Sequence, residues 1–204
     1  MEGGRTVIAD YGMGNLRSVQ KALAYVGGEA VVSGEAEDVR RADRVILPGV
    51  GAFGDAKRRL AETGLEAALR EAAASGKPML GICLGMQLLF EASEEFGRHE
   101  GLGVFDGTVA RLPDGGGRLK IPHMGWNRVE AVGECPILAG LDGADFYFVH
   151  SFAVASSRCA AGLTEYGTTF VSVARRGNVF ATQFHPEKSG EAGLALYRNW
   201  LAVG

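Results

Sequence analysis

The chain reads as a doubly wound α/β protein, a mostly parallel sheet with helices on both faces and an antiparallel extension in its second half. Two observations lead there. In the first half, short runs rich in β-branched residues alternate with segments whose apolar residues recur at helical spacing. In the second half, strand-like runs follow one another at short intervals. At 204 residues the chain is long enough to bury a sheet covered on both faces, so residues 1–204 are expected to form one domain.

Taken in order, Thr6-Val7-Ile8-Ala9 is a buried-strand candidate. Asn15 can cap the helix that follows, whose Leu16, Val19, Leu23 and Val26 fall on one stripe. Ala30-Val31-Val32 and Arg44-Val45-Ile46-Leu47 are the next strands. One helical region over residues 56–74 carries Leu60, Leu65, Ala68, Leu69 and Ala72 and stops at Gly76. The short apolar strand Lys77-Pro78-Met79-Leu80 leads to Cys83, after which Met86, Leu88, Leu89 and Phe90 open a helix. Strand-like runs then occupy residues 104–112, 126–132, 146–155, 162–166, 170–175 and 179–184. Pro113-Asp114-Gly115-Gly116-Gly117 is a turn between two of them, and a helix over residues 191–201 closes the chain.

Composition excludes several classes of function. A net charge of −3, with 47% hydrophobic and 22% charged residues, argues against polyanion binding and against disorder. Arg40-Arg41 and Lys57-Arg58-Arg59 read as solvated helix or loop surface, so no nucleic-acid partner is expected. Three cysteines, without C-x-x-C spacing, argue against a disulfide framework and a structural zinc site and point to a reducing compartment. No run approaches the ~18–20 apolar residues of a membrane span, and none resembles a leader, so a soluble cytoplasmic protein is expected.

Cys83 carries the chemistry. Gly81 and Gly85 flank it two positions away on each side, the spacing that permits a sharp turn pushing a nucleophile out above a sheet. A helix N-terminus behind it favours the thiolate, the reactive form. The alternative is an inert buried thiol. Of four histidines, His99, His123, His150 and His185, the last lies in Gln183-Phe184-His185-Pro186-Glu187. Pro186 biases His185 to extended backbone, where Glu187, two residues on, projects to the same side and can hold the imidazole. That is a Cys–His–acid arrangement, with a surface His-Pro-Glu turn as its alternative. Pro48-Gly49-Val50-Gly51 follows a strand and offers backbone N–H groups for an oxyanion, with the Leu84 amide as a second donor. An ordinary Gly/Pro turn would read the same way.

Together, Gly81-Ile82-Cys83-Leu84-Gly85-Met86-Gln87 and Phe184-His185-Pro186-Glu187 resemble the class I, or triad, glutamine amidotransferases, whose fold is the one described. Asp10-Tyr11-Gly12-Met13-Gly14-Asn15-Leu16, Pro48-Gly49-Val50-Gly51-Ala52-Phe53, Pro122-His123-Met124-Gly125-Trp126-Asn127 and Phe148-Val149-His150-Ser151 are similar to the glutaminase subunits of imidazole glycerol phosphate synthases. The resemblance spans residues 6–201. It implies Cys83 as nucleophile, His185 as base and acid, and Glu187 as its holder. It also implies Val50 and Leu84 amides as oxyanion donors, with Gly49 and Gly51 giving the segment freedom to flip. Glutamine would be selected by Gln87, Glu95, Ser151 and Phe152, with Glu95 suited to the α-ammonium. Asn15, His123, Met124, Trp126 and Lys188 would face a (β/α)8-barrel cyclase in a heterodimer. His150 is expected as a packed strand residue near the substrate, and His99 in an exposed loop. No cofactor or metal is implied. Three other readings stay open: a glutaminase subunit for pyridoxal phosphate or anthranilate synthesis, which the block over residues 122–127 disfavours; a stand-alone γ-glutamyl hydrolase; and a silent regulatory subunit, against which the intact Cys83, His185 and Glu187 argue.

Overall fold

The computed structural model describes residues 4–203. Strand β1 (Thr6–Ala9) is buried throughout, and its side chains alternate: Val7 and Ala9 enter the core on one face, Ile8 the core on the other. The alternation of strand and helix continues through α1 (Leu16–Tyr25), β2 (Ala30–Ser33), α2 (Ala36–Arg41), β3 (Arg44–Gly49), α3 (Phe53–Glu62), α4 (Leu65–Ala74), β4 (Met79–Cys83) and α5 (Leu84–Leu89). Strands then dominate: β5 (Phe90–Ser93), β6 (His99–Glu100), β7 (Phe105–Arg111), β8 (His123–Arg128), β9 (Glu130–Ala131), β10 (Asp145–His150), β11 (Phe152–Val154), β12 (Ala160–Glu165), β13 (Thr169–Arg176) and β14 (Val179–Thr182). Helix α6 (Gly190–Leu201) follows.

The eight-stranded sheet has the order β2-β1-β3-β4-β14-β13-β12-β9. Its first five strands pair in parallel and the rest antiparallel, as expected for a doubly wound sheet with an extension. Val39, Leu60, Leu69 and Leu88 cover one face, while Val19, Leu23, Leu196, Tyr197 and Trp200 cover the other. Each such buried large apolar side chain contributes about 1.5–3 kcal/mol relative to exposure. A two-stranded ribbon, β10-β8, and a four-stranded sheet, β11-β7-β5-β6, lie outside the main sheet.

Several boundaries differ from the sequence expectation. The helical region over residues 56–74 is two helices, because the chain turns at Gly64, which takes the left-handed φ of 71° that a side chain would resist. Helix α2 was not delimited, Arg40-Arg41 reading only as solvated helix or loop surface, since it is six residues long with Val39 as its one buried residue, too little to show a period. The helix after Cys83 stops at Leu89, and Phe90 starts a strand; all six residues of α5 are buried, so the segment has no polar face to mark its end. The run over residues 126–132 divides into β8 and β9, and that over 146–155 into β10 and β11, which join different sheets. Asn15 does sit at the N-cap of α1, but its side chain makes no capping bond; its backbone carbonyl accepts from Ser18 and Val19.

Candidate active site

The C-terminal ends of β3 and β4 and the residues after β14 meet at one edge of the parallel sheet, where open α/β sheets gather their ligands. A cleft of about 490 Å³ opens there, walled in part by Val50, Gly51, Cys83, Leu84, Gln87 and His185. Cys83 is the last residue of β4 and takes φ 54° and ψ −110°. A non-glycine residue held at positive φ costs about 1–2 kcal/mol, and here the flanking strand and helix hold it. Gly85 allows this: a Cβ there would lie 1.8 Å from the Leu47 carbonyl oxygen, so any side chain would push α5 off β3.

His185 reaches the cleft from the far end of the sequence. Its N–H donates to the Tyr147 carbonyl at 2.9 Å, and its own carbonyl accepts from the Ser189 hydroxyl at 2.6 Å. Its Nδ1 lies 2.8 Å from Glu187 Oε1, with both side chains almost fully buried. The expected pairing is present, but its geometry is not that of an extended strand: Pro186–Lys188 forms a 3₁₀ turn that folds the carboxylate back onto the ring. Burial pushes the imidazole down, yet the nearby Cys83 and the Glu187 carboxylate outweigh it and hold His185 up at about 9. No well-aligned hydrogen bond joins Nε2 to the thiol, and that nitrogen is buried without a partner. Cys83 thus acts on the ring by proximity and charge, a loose arrangement common before substrate tightens it.

Two residues at the site were missed from sequence. Gln183 is buried, and its Nε2 faces Cys83 Sγ at 3.8 Å. Strand alternation held the clue, since residue 183 lies two before His185. Tyr11, also buried, donates its hydroxyl to the Pro48 carbonyl at 2.9 Å, and burial first, Cys83 second, pushes its phenol upward. It steadies the segment expected to supply an oxyanion donor. In that segment Val50 and Gly51 line the cleft with Leu84, and Gly51 has φ 102°. Gly49 does not line it; it is buried in β3 in register with Cys83.

Gln87, Glu95, Ser151 and Phe152 all line the same cleft. Both hydrogens of the Gln87 amide are used, one by the Phe152 carbonyl at 3.0 Å and one by Gln183 Oε1 at 3.1 Å. Its oxygen is left to face a ligand as an acceptor. Glu95 sits in a turn, where its Oε2 accepts the Phe53 N–H at 2.7 Å at the start of α3.

Residues 7–202 match the family described as glutamine amidotransferase class-I. The chain belongs to that family. The amidotransferase is 52% identical over 199 residues to the imidazole glycerol phosphate synthase subunit HisH of Symbiobacterium thermophilum, covering 96% of this chain and 92% of that one. It is also 52% identical over 200 residues to the HisH of Aquifex aeolicus, covering 96% and 95%. The solved structure of PurLQS from Thermotoga maritima shares the fold, with a TM-score of 0.75 at 20% identity over 98% of each chain.

The remaining histidines of the amidotransferase divide differently from the expectation. His123, expected to face a partner, is buried at 2% exposure and offers almost no surface for contact. Strand β8 alternates, which turns His123 inward and leaves Met124 and Trp126 each 58% exposed. Trp126 packs edge-on to Tyr147 at 6.2 Å, and Lys188 lies 5.9 Å over that same ring. Lys188 is exposed and Asn15 half-buried. His150 is buried against the cleft, as expected. His99 is not in a free loop: it forms β6 and packs on Phe53 at 6.3 Å. Among the described residues no helix is long and apolar enough to cross a membrane.

Burial pushes His123 down to about 4 and His150 down to about 3. The unfolded chain binds protons below about 6.5 that these folded rings refuse, so their contribution to stability is lost as pH falls from 6.5 toward 4. His185, shifted upward, adds no slope there, because its contribution is complete below 6.5 and fades only as pH rises through about 9. Urea unfolding should therefore show stability declining between pH 6.5 and 4.5, and less steeply in a His123→Asn, His150→Asn variant. Equal slopes in the two proteins would contradict this assignment.

Proposed function

We propose that the amidotransferase hydrolyses glutamine at Cys83 and delivers the ammonia to a cyclase subunit, as the glutaminase half of an imidazole glycerol phosphate synthase. The observation that carries this reading is the strained Cys83 at the floor of the cleft, with the His185–Glu187 pair beside it. Cys83 Sγ attacks the side-chain amide carbon, and the proton taken up by His185 passes to the leaving nitrogen, releasing ammonia and leaving a thioester. His185 then takes a proton from the water that hydrolyses the thioester, so that glutamate departs and the thiol is restored. Backbone amides of Val50 and Leu84 stabilise the oxyanion. Glu187 keeps the imidazole oriented throughout. Gln87 and Glu95, with Ser151 and Phe152, hold the amino-acid end of the substrate.

Ammonia released to bulk water is protonated and loses its nucleophilicity, so a glutaminase feeding a synthesis gains from a protected passage into its partner. Met124, Trp126, Lys188 and Asn15 supply the face for a (β/α)8-barrel cyclase in a cytoplasmic heterodimer. Large exposed aromatic and methionine side chains are what interface centres favour. The partner joins the ammonia to a phosphoribulosyl-formimino carboxamide ribonucleotide in histidine biosynthesis. In a glutaminase assay, turnover should be low for the isolated chain and rise roughly ten- to hundredfold when the cyclase and its ribonucleotide are both present. Equal rates with and without the nucleotide would overturn the coupling.

A further inference from the structure

His123 and His150 are buried, and the chemistry above uses neither. Their hydrogen bonds run in one direction. The Phe152 carbonyl can only accept, so the 2.9 Å contact from His150 Nδ1 puts a proton on that nitrogen. In a neutral ring Nε2 is then bare, and His123 Nδ1, 3.0 Å away, must donate to it. His123 Nε2 is bare in turn and accepts from the Asn127 amide at 3.2 Å. The orientation of that amide is independently set: its nitrogen also serves the Glu165 carbonyl at 2.9 Å, and its oxygen accepts the Arg128 N–H at 2.8 Å. The ring of His123 is stacked between Phe148, at 4.9 Å, and Tyr166, at 4.1 Å, which resists its turning over.

The row ends at a carbonyl with a second duty. Phe152 O also accepts from Gln87, whose other hydrogen goes to Gln183, whose nitrogen faces Cys83. Removing the His123 donor leaves His150 Nε2 buried without a partner and frees the ring to change tautomer. A ring protonated at Nε2 then turns the bare Nδ1 lone pair on the Phe152 carbonyl, and the repulsion displaces the acceptor of one Gln87 amide hydrogen, leaving Gln183 Oε1 alone to hold that amide.

We propose that His123 is a positioning residue for substrate binding. Through His150 and the Phe152 carbonyl it keeps the Gln87 amide oxygen facing the cleft as an acceptor for an ammonium group. The substrate in this proposal rests on the glutaminase reading; the relay itself does not.

Two measurements test it. In the ¹⁵N-labelled full chain at neutral pH, long-range ¹H–¹⁵N spectra should show His123 and His150 both protonated at Nδ1 and bare at Nε2. An Nε2–H tautomer at either ring overturns the relay, whether or not any variant folds. In the complex with the cyclase, His123→Phe, which keeps a stacking ring but no donor, should raise the KM for glutamine about five- to tenfold, with kcat within about twofold. His123→Asn, whose amide nitrogen can stand in for Nδ1, should restore most of that KM. An unchanged KM in a folded His123→Phe protein, or a fall confined to kcat, overturns the positioning role. A wild-type complex with no glutaminase activity would instead count against the functional reading, and the spectra alone would then decide the relay.

Discussion

Cys83→Ala should abolish glutamine hydrolysis, with a fall of at least about 10⁴-fold, because removal of a nucleophile leaves only the residual rate that binding and oxyanion donors provide. The fold and the partner face should survive. Cys83 is 8% exposed at the cleft floor, so the lost sulfur opens into a cavity that already exists, and alanine inherits the same positive φ without a new clash. Glutamate release measured beside sedimentation of the mixture with the cyclase separates the two properties. Retained hydrolysis would remove Cys83 from the chemistry, and loss of the complex would show that the site and the docking face are not separate.

Glu187→Gln should lower kcat by roughly 10²–10⁴-fold while changing the KM for glutamine little. The carboxylate is almost fully buried, its Oε2 has no hydrogen-bond partner, and its Oε1 is spent on His185. In such surroundings its negative charge is a main reason that the imidazole rises to about 9 despite burial, after the contribution of Cys83. Glutamine supplies no charge, and it can present its NH₂ to Nδ1 and impose the wrong tautomer. The His185 pKa should fall in the variant, a shift that NMR titration reads directly. An unchanged kcat, or a pKa that stays near 9, would show that Glu187 does not hold the ring electrostatically.

The parallel half of the fold was legible because β1, β3 and β4 are short β-branched or apolar runs separated by amphipathic helices, signals confined to a few residues. Two helices whose limits were not legible, α5 and α2, share one cause. α5 is buried all round and α2 is a turn and a half long, so neither shows the periodic contrast by which a helix is recognised. The break between β10 and β11 at Ser151 is equally silent, since both pieces look like strand and only their partners, β8 and β7, differ.

The candidate site divides along the same line. The Cys83 elbow is written in its neighbours, because a tight strand-to-helix turn needs glycines at short range. The His185–Glu187 pair is likewise local, two residues apart, although a 3₁₀ turn rather than a strand closes it. Sequence alone therefore determined which side chains can do chemistry and which of them lie on one short stretch of backbone. Only the tertiary structure decided the rest: that Gln183 touches a sulfur 100 residues away, that Tyr11 holds Pro48, and that His123 turns inward while Trp126 faces out. Strand alternation predicts that neighbours point to opposite sides, but which side is core depends on the element packed against it. That is a property of the whole chain, since burial and hydrogen-bond partners come from segments far apart in sequence.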